Sequence, residues 1–203
     1  MWKPLFALMA ICLLVGRAPA GRYNDKLSVG DPAPAWSNLP GTDDRTHSLD
    51  DFKNKEIVVV VFTCCSCPVA TDYEDRIIAF AKKYEDKVAV VAINVNNIEE
   101  DRLPAMKTRA QQKGFPFPYL YDETQKIARA YGAENTPGFF VLDRQRRVAY
   151  MGAMDDQDDP GKVKEKLLED AVTAVLKGDK PRVQETWARG CAIRWQRKKR
   201  AGK

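Results

Sequence analysis

Residues Ile57 to Pro68 read Ile-Val-Val-Val-Val-Phe-Thr-Cys-Cys-Ser-Cys-Pro. No other stretch constrains the fold as tightly. Six β-branched and aromatic residues without a polar interruption suit a central strand buried on both faces. The run stops at three cysteines within four positions. Beyond Pro68 the spacing becomes helical, with Val69, Tyr73, Ile77, Phe80 and Tyr84 recurring at intervals of three and four. Cys64 and Cys67 therefore fall where a buried strand gives way to a helix. Pro68 suits the first turn, where a missing N–H costs nothing.

That location has a chemical consequence. The first N–H groups of a helix lack internal partners, and the dipole is positive at that end. A thiolate placed there is stabilised, and the thiolate is the form that attacks disulfides. Cys64 and Cys67 lie about one turn apart, close enough to form a disulfide. The pattern predicts a dithiol redox centre. Zinc is the competing use of paired cysteines, but such sites usually need a second ligand pair and the sequence has none. No metal or other cofactor is expected beyond the redox-active disulfide.

The 203 residues suffice for one domain with a core and appendages. Residues 1–20 read as a secretory signal peptide: Lys3, an apolar run from Leu5 to Val15, and Ala18-Pro19-Ala20. The run is too short for a comfortable membrane span. The expected location is secreted or periplasmic, where disulfides persist. The formal net charge of +5 includes Lys3 and Arg17, and the modest remainder does not imply a nucleic-acid partner. Four cysteines follow the leader: Cys64, Cys65, Cys67 and Cys191.

The alternation of signals predicts an α/β domain over residues 21–178. A second buried strand spans Val88 to Val95. Asp101 and Pro104 open a helix that stops at Gly114. A short extended piece covers Phe115 to Tyr121. Asp122 and Gln125 form a capping box for a short helix ending at Gly132. Strands at Phe139–Leu142 and Val148–Met151 form a hairpin. A last helix starts at Asp159-Pro160 and ends at Gly178. The result is a central mixed sheet with helices on both faces. His47, the only histidine, reads as a surface turn residue. Residues 179–203 read as a basic, solvated tail, with Arg194, Arg197, Lys198, Lys199, Arg200 and Lys203 near Trp187 and Trp195.

These residues resemble the thioredoxin superfamily, and within it the redoxin (alkyl hydroperoxide reductase/thiol-specific antioxidant) branch of exported bacterial proteins. The resemblance covers about residues 27–178. It rests on Val29-Gly30-Asp31-Pro32-Ala33-Pro34, Leu49-Asp50-Asp51-Phe52-Lys53, the strand into Cys64-x-x-Cys67, Tyr131-Gly132, and Thr136-Pro137 before Phe139-Phe140-Val141-Leu142-Asp143. It implies a thioredoxin-like fold, Cys64 as attacking thiol and Cys67 as buried resolving thiol. It further implies a cis bond at Pro137 that offers Thr136 to an incoming chain as a strand partner. The chain departs from thioredoxins proper in having Thr63 before the first cysteine, Cys65-Ser66 within the motif, and Val58 where a buried carboxylate is usual. Glu74 is the substitute proton-transfer group considered.

The function implied is thiol–disulfide exchange with protein disulfide or dithiol substrates and an upstream redox partner. A second reading is a thiol-dependent peroxidase acting on peroxide. Peroxiredoxins carry Thr-x-x-Cys-Pro, and Cys67-Pro68 matches the second half while Cys64 replaces the threonine. A third reading, outside enzymes, is Cu(I) binding by Cys64, Cys65 and Cys67. Cys65 and Cys191 are auxiliary thiols. Thirteen residues separate Gly178 from Cys191, an extended reach of roughly 40 Å. The tail could therefore fold back and join Cys191 to Cys65; the alternative is a free thiol on a mobile tail.

Overall fold

The computed structural model describes residues 21–196; residues 1–20, where a signal peptide is expected, and the basic cluster from Arg197 onward lie outside the described residues. A short ribbon, β1 (Leu39–Pro40) with β2 (Thr46–His47), precedes the main sheet. The sheet contains β3 (Ile57–Phe62), β4 (Val88–Asn94), β5 (Tyr119–Tyr121), β7 (Gly138–Leu142) and β8 (Val148–Gly152), in the order β5-β4-β3-β7-β8. β3, β4 and β5 run parallel, and β7 and β8 are antiparallel additions. The apolar run is the central strand, and all six of its residues are buried.

Strand alternation divides the core between the two faces. Val58, Val60 and Phe62 face Trp36, Leu49, Tyr131 and Phe140. Ile57, Val59 and Val61 face Tyr73, Ile77 and Phe80 of α1 (Pro68–Lys83), with Leu168 and Val172 of α4 (Leu167–Leu176). Met106 of α2 (Leu103–Lys113) packs on Ala92 and Tyr119 near the sheet edge. Ala128 and Tyr131 of α3 (Lys126–Tyr131) join the first face. This is the α/β thioredoxin fold, with a mixed sheet between helices.

Two local expectations change. The last helix starts at Leu167, not at Asp159. The Asp159 carboxylate accepts from Gly161 N–H, supporting only one 3-10 turn over Pro160–Lys162. Asp156 then accepts from Lys164 and Glu165 N–H, so these donors are satisfied without a helix. The capping box at Asp122 is also absent. Asp122 accepts from Thr124 and Ile127 N–H, while Gln125 is left-handed at φ 59° and sends its amide elsewhere.

The larger correction concerns residues 179–196 of the tail, which pack along the domain rather than fraying. Met151 N–H donates to Gln184 O and Thr186 N–H to Met151 O, laying the chain beside β8. The chain then crosses to the segment before β7. There β9 (Cys191–Ala192) pairs antiparallel with β6 (Asn135–Thr136). Ile193 is 4% exposed and joins the core. Both faces of Gln125 hold the strand beyond it: its amide donates to Val95 O and Arg194 O, and its Oε1 accepts from Gln196 N–H. Trp195 lies under the Arg129 guanidinium, 4.2 Å from ring centroid to Cζ.

Candidate active site

Parallel strands deliver their loops to one edge, and α/β ligand sites gather at the carboxyl ends of such strands. β3 ends at Phe62, and Thr63 N–H still bonds Ile93 O on β4. The cysteine loop follows at once. Cys67 is the N-cap of α1, its Sγ accepts from Ala70 N–H at 3.4 Å, and Pro68 is the first helical residue. The sulfur held at the helix start is thus that of Cys67, with Cys64 one turn before it in the loop.

Facing this loop is the Thr136–Pro137 bond, which is cis. Thr136 is 1% exposed and touches both cysteines of the motif. Cys64 Sγ lies 3.3 Å from Thr136 Oγ1, and Cys67 Sγ lies 3.3 Å from Thr136 O. Thr136 Oγ1 is also 3.4 Å from Cys191 O, which can only accept.

The disulfide is not the one the residues suggested. Cys191 joins Cys67 rather than Cys65, with a Cα separation of 5.9 Å. Cys64 and Cys65 are free thiols. The register explains the choice. Cys191 stands opposite Thr136, whose carbonyl contacts the Cys67 sulfur. Cys65 points away, toward Tyr119, with its Sγ 3.5 Å from the phenol oxygen. With Cys67 engaged, the three-cysteine Cu(I) set is not assembled; among the described residues no group of three or more His, Cys, Asp or Glu side chains is placed to hold a metal ion.

The ionisation expectation for Cys64 is also reversed. Burial pushes its pKa up from 9.0; the Thr136 hydroxyl opposes this, and the Asp101 charge adds to it. Cys65 is raised further, to about 11, again mainly by burial, with Tyr119 opposing and Asp101 reinforcing. At neutral pH both rest as thiols.

Asp101 is the residue that the sequence reading missed. The sequence pattern presents it as a helix opener, yet it sits in a 3-10 turn and is fully buried. Its Oδ1 accepts from Cys65 N–H at 2.7 Å and Ser66 N–H at 2.9 Å, and its Oδ2 from the Ser66 hydroxyl at 2.6 Å. Asn96 donates to it as well, while Asn96 Oδ1 accepts from Arg194 N–H of the tail. One carboxylate therefore fixes the cysteine loop and, through Asn96, the tail. Nothing in the local pattern marks it, because its partners are 35 and 36 residues away in the chain. Glu74 is instead engaged by Arg109 through bonds of 2.6–3.1 Å. His47 lies in β2 rather than in a surface turn, with its side chain 14% exposed; it pairs with Asp43 and stacks on Phe52.

A family model for Redoxin matches residues 28–170. The chain belongs to the Redoxin family. Among curated relatives, thiol-disulfide oxidoreductase ResA of Geobacillus thermodenitrificans is 28% identical over 138 residues, covering 65% of this chain and 74% of that protein. A Mycobacterium tuberculosis protein whose name places it provisionally among the peroxiredoxins is 29% identical over 112 residues, or 53% of this chain. This chain spans 66% of that relative's length. A solved hypothetical protein of Sinorhizobium meliloti 1021 is 34% identical with a TM-score of 0.78, covering 88% of this chain and 98% of its own. Redoxin membership and the thioredoxin fold place the protein among thiol-based oxidoreductases.

Proposed function

We propose that this Redoxin protein exchanges disulfides with protein substrates through Cys64 and Cys67. One observation carries the reading: both sulfurs lie 3.3 Å from Thr136, beside a cis Pro137. A buried backbone edge at that position can take an incoming strand and bring its sulfur to the dithiol. Cys64 attacks the substrate disulfide, a mixed disulfide forms, and Cys67 displaces the substrate thiol to give Cys64–Cys67. Two electrons leave the dithiol and reduce the substrate. An upstream dithiol restores them, and no cofactor beyond the cysteines is needed. Residues 1–20 direct the chain to a secreted or periplasmic location. None of the described helices is long and apolar enough to cross a membrane.

A second reading has its own support. Cys67-Pro68 stands where peroxiredoxins place their reactive cysteine, and Cys67 is bonded to a cysteine 124 residues away. A thiolate oxidised to sulfenic acid by peroxide would condense with such a partner. Insulin reduction driven by dithiothreitol, run beside peroxide consumption, separates the readings. Exchange predicts insulin reduction that Cys64→Ser abolishes. Peroxide consumption that survives Cys64→Ser and is lost in Cys67→Ser would establish the peroxidase instead.

A further inference from the structure

We infer that Cys191 is a third redox-active cysteine, a tethered thiol that takes the disulfide over from the Cys64–Cys67 pair. The inference rests on the dithiol reading above and extends it by one exchange step.

The tail occupies the place of a substrate strand. Cys191 stands opposite Thr136 in an antiparallel pair, and Ile193 N–H continues the pairing to Glu134 O at 2.7 Å. Gly190 permits this approach: it has φ +140°, and a Cβ there would clash with the Thr136 carbonyl oxygen. Only glycine lets the chain come so close to the loop.

The tail is anchored beyond the cysteine, independently of the sulfur bond. Ile193 is in the core, Gln125 grips Arg194 and Gln196, and Asn96 holds Arg194 N–H. Breaking the disulfide therefore leaves Cys191 tethered beside Cys67 at high effective concentration. Of the three sulfur-bearing residues, Cys64 and Cys67 are 3% and 2% exposed, whereas Cys191 is only half-buried. Passage to Cys191 moves the disulfide outward, to where a reductant reaches it.

The step balances without net oxidation. The Cys191 thiolate attacks Cys67 Sγ of the Cys64–Cys67 disulfide. The Cys67–Cys191 bond forms, the Cys64–Cys67 bond breaks, and Cys64 leaves as a thiolate that takes up the proton Cys191 gave up. An external dithiol then attacks Cys191 Sγ and releases Cys67 as a thiol; its second sulfur displaces Cys191, so that the dithiol leaves as a disulfide and both cysteines are reduced. The structure is the state after the first step: Cys64 free, Cys67 and Cys191 joined, and the substrate position filled by β9.

Time-resolved disulfide mapping tests this. The full chain is reduced with dithiothreitol, desalted and mixed with limiting insulin. Samples are quenched in acid, alkylated and mapped. Cys64–Cys67 should appear first and decay as Cys67–Cys191 rises. In Cys191→Ser, Cys64–Cys67 should form at the wild-type rate and persist. Insulin reduction with Cys64–Cys67 persisting equally in both proteins, or with Cys67–Cys191 resisting the initial reduction, would overturn the relay alone. Failure of Cys64–Cys67 to form at all would overturn the dithiol reading and the relay with it.

Discussion

Thr136 faces Cys191 through its backbone and Cys64 through its side chain. The first contact is an antiparallel pairing, and the second places Oγ1 3.3 Å from Sγ. One buried residue thus reports whether the tail is seated and what environment the free thiol has. Several consequences can be measured.

Gly190→Ala introduces a Cβ that meets the Thr136 carbonyl and a side chain at φ +140°. Strain of this kind costs about 1–3 kcal/mol. Gly190 and Cys191 should lift from the loop and expose Cys64. Iodoacetamide should then label Cys64 at least about tenfold faster at pH 8, the equivalent of about 1.4 kcal/mol. Unchanged labelling would mean that β9 does not shield the thiol.

Burial, reinforced by the Asp101 charge against the opposing Thr136 hydroxyl, holds the Cys64 pKa above its ordinary value. Its thiolate fraction is therefore small at neutral pH and rises about tenfold per pH unit until that pKa is reached. Alkylation of Cys64 should follow this rise past pH 9. Asp101→Asn removes a negative charge beside the thiol, so the pKa falls and the profile moves to lower pH. A shift to higher pH would contradict this electrostatic assignment.

Asp101→Ala should lower stability by about 2–4 kcal/mol, because it leaves Cys65 N–H, Ser66 N–H and the Ser66 hydroxyl without their acceptor. Urea denaturation measures this. A loss under about 0.5 kcal/mol would show that water replaces the carboxylate without difficulty.

Cys65 is raised to about 11 and faces Tyr119 rather than the disulfide. It should stay unlabelled in the native protein at pH 7–8. Cys65→Ala should keep insulin reduction within about twofold of wild type. A larger loss would place Cys65 in the exchange path.

The sheet was legible because its signals are local. An uninterrupted apolar run, a change of periodicity at Pro68 and a hairpin after Leu142 are readable without knowing any long-range partner. The cysteine loop between strand and helix was legible for the same reason. Its setting was not. Asp101 resembled a helix opener because its partners are distant in sequence, and Gln125 resembled a capping residue although its amide clamps the tail. The pairing of Cys191 depends on strand register against Thr136, which spacing alone does not encode. Helix position alone suggested an acidic Cys64 thiol, but that thiol is buried and the shift is reversed.

The most direct test of a shared redox centre is equilibration in dithiothreitol buffers of stepped potential, with the cysteine state read by mass mapping at each step. The account predicts a single two-electron transition in which Cys64–Cys67 and Cys67–Cys191 disappear together, because both use the Cys67 sulfur. It also predicts that this transition falls where the protein gains its ability to reduce insulin. A Cys67–Cys191 bond that stays intact while insulin is being reduced would contradict it.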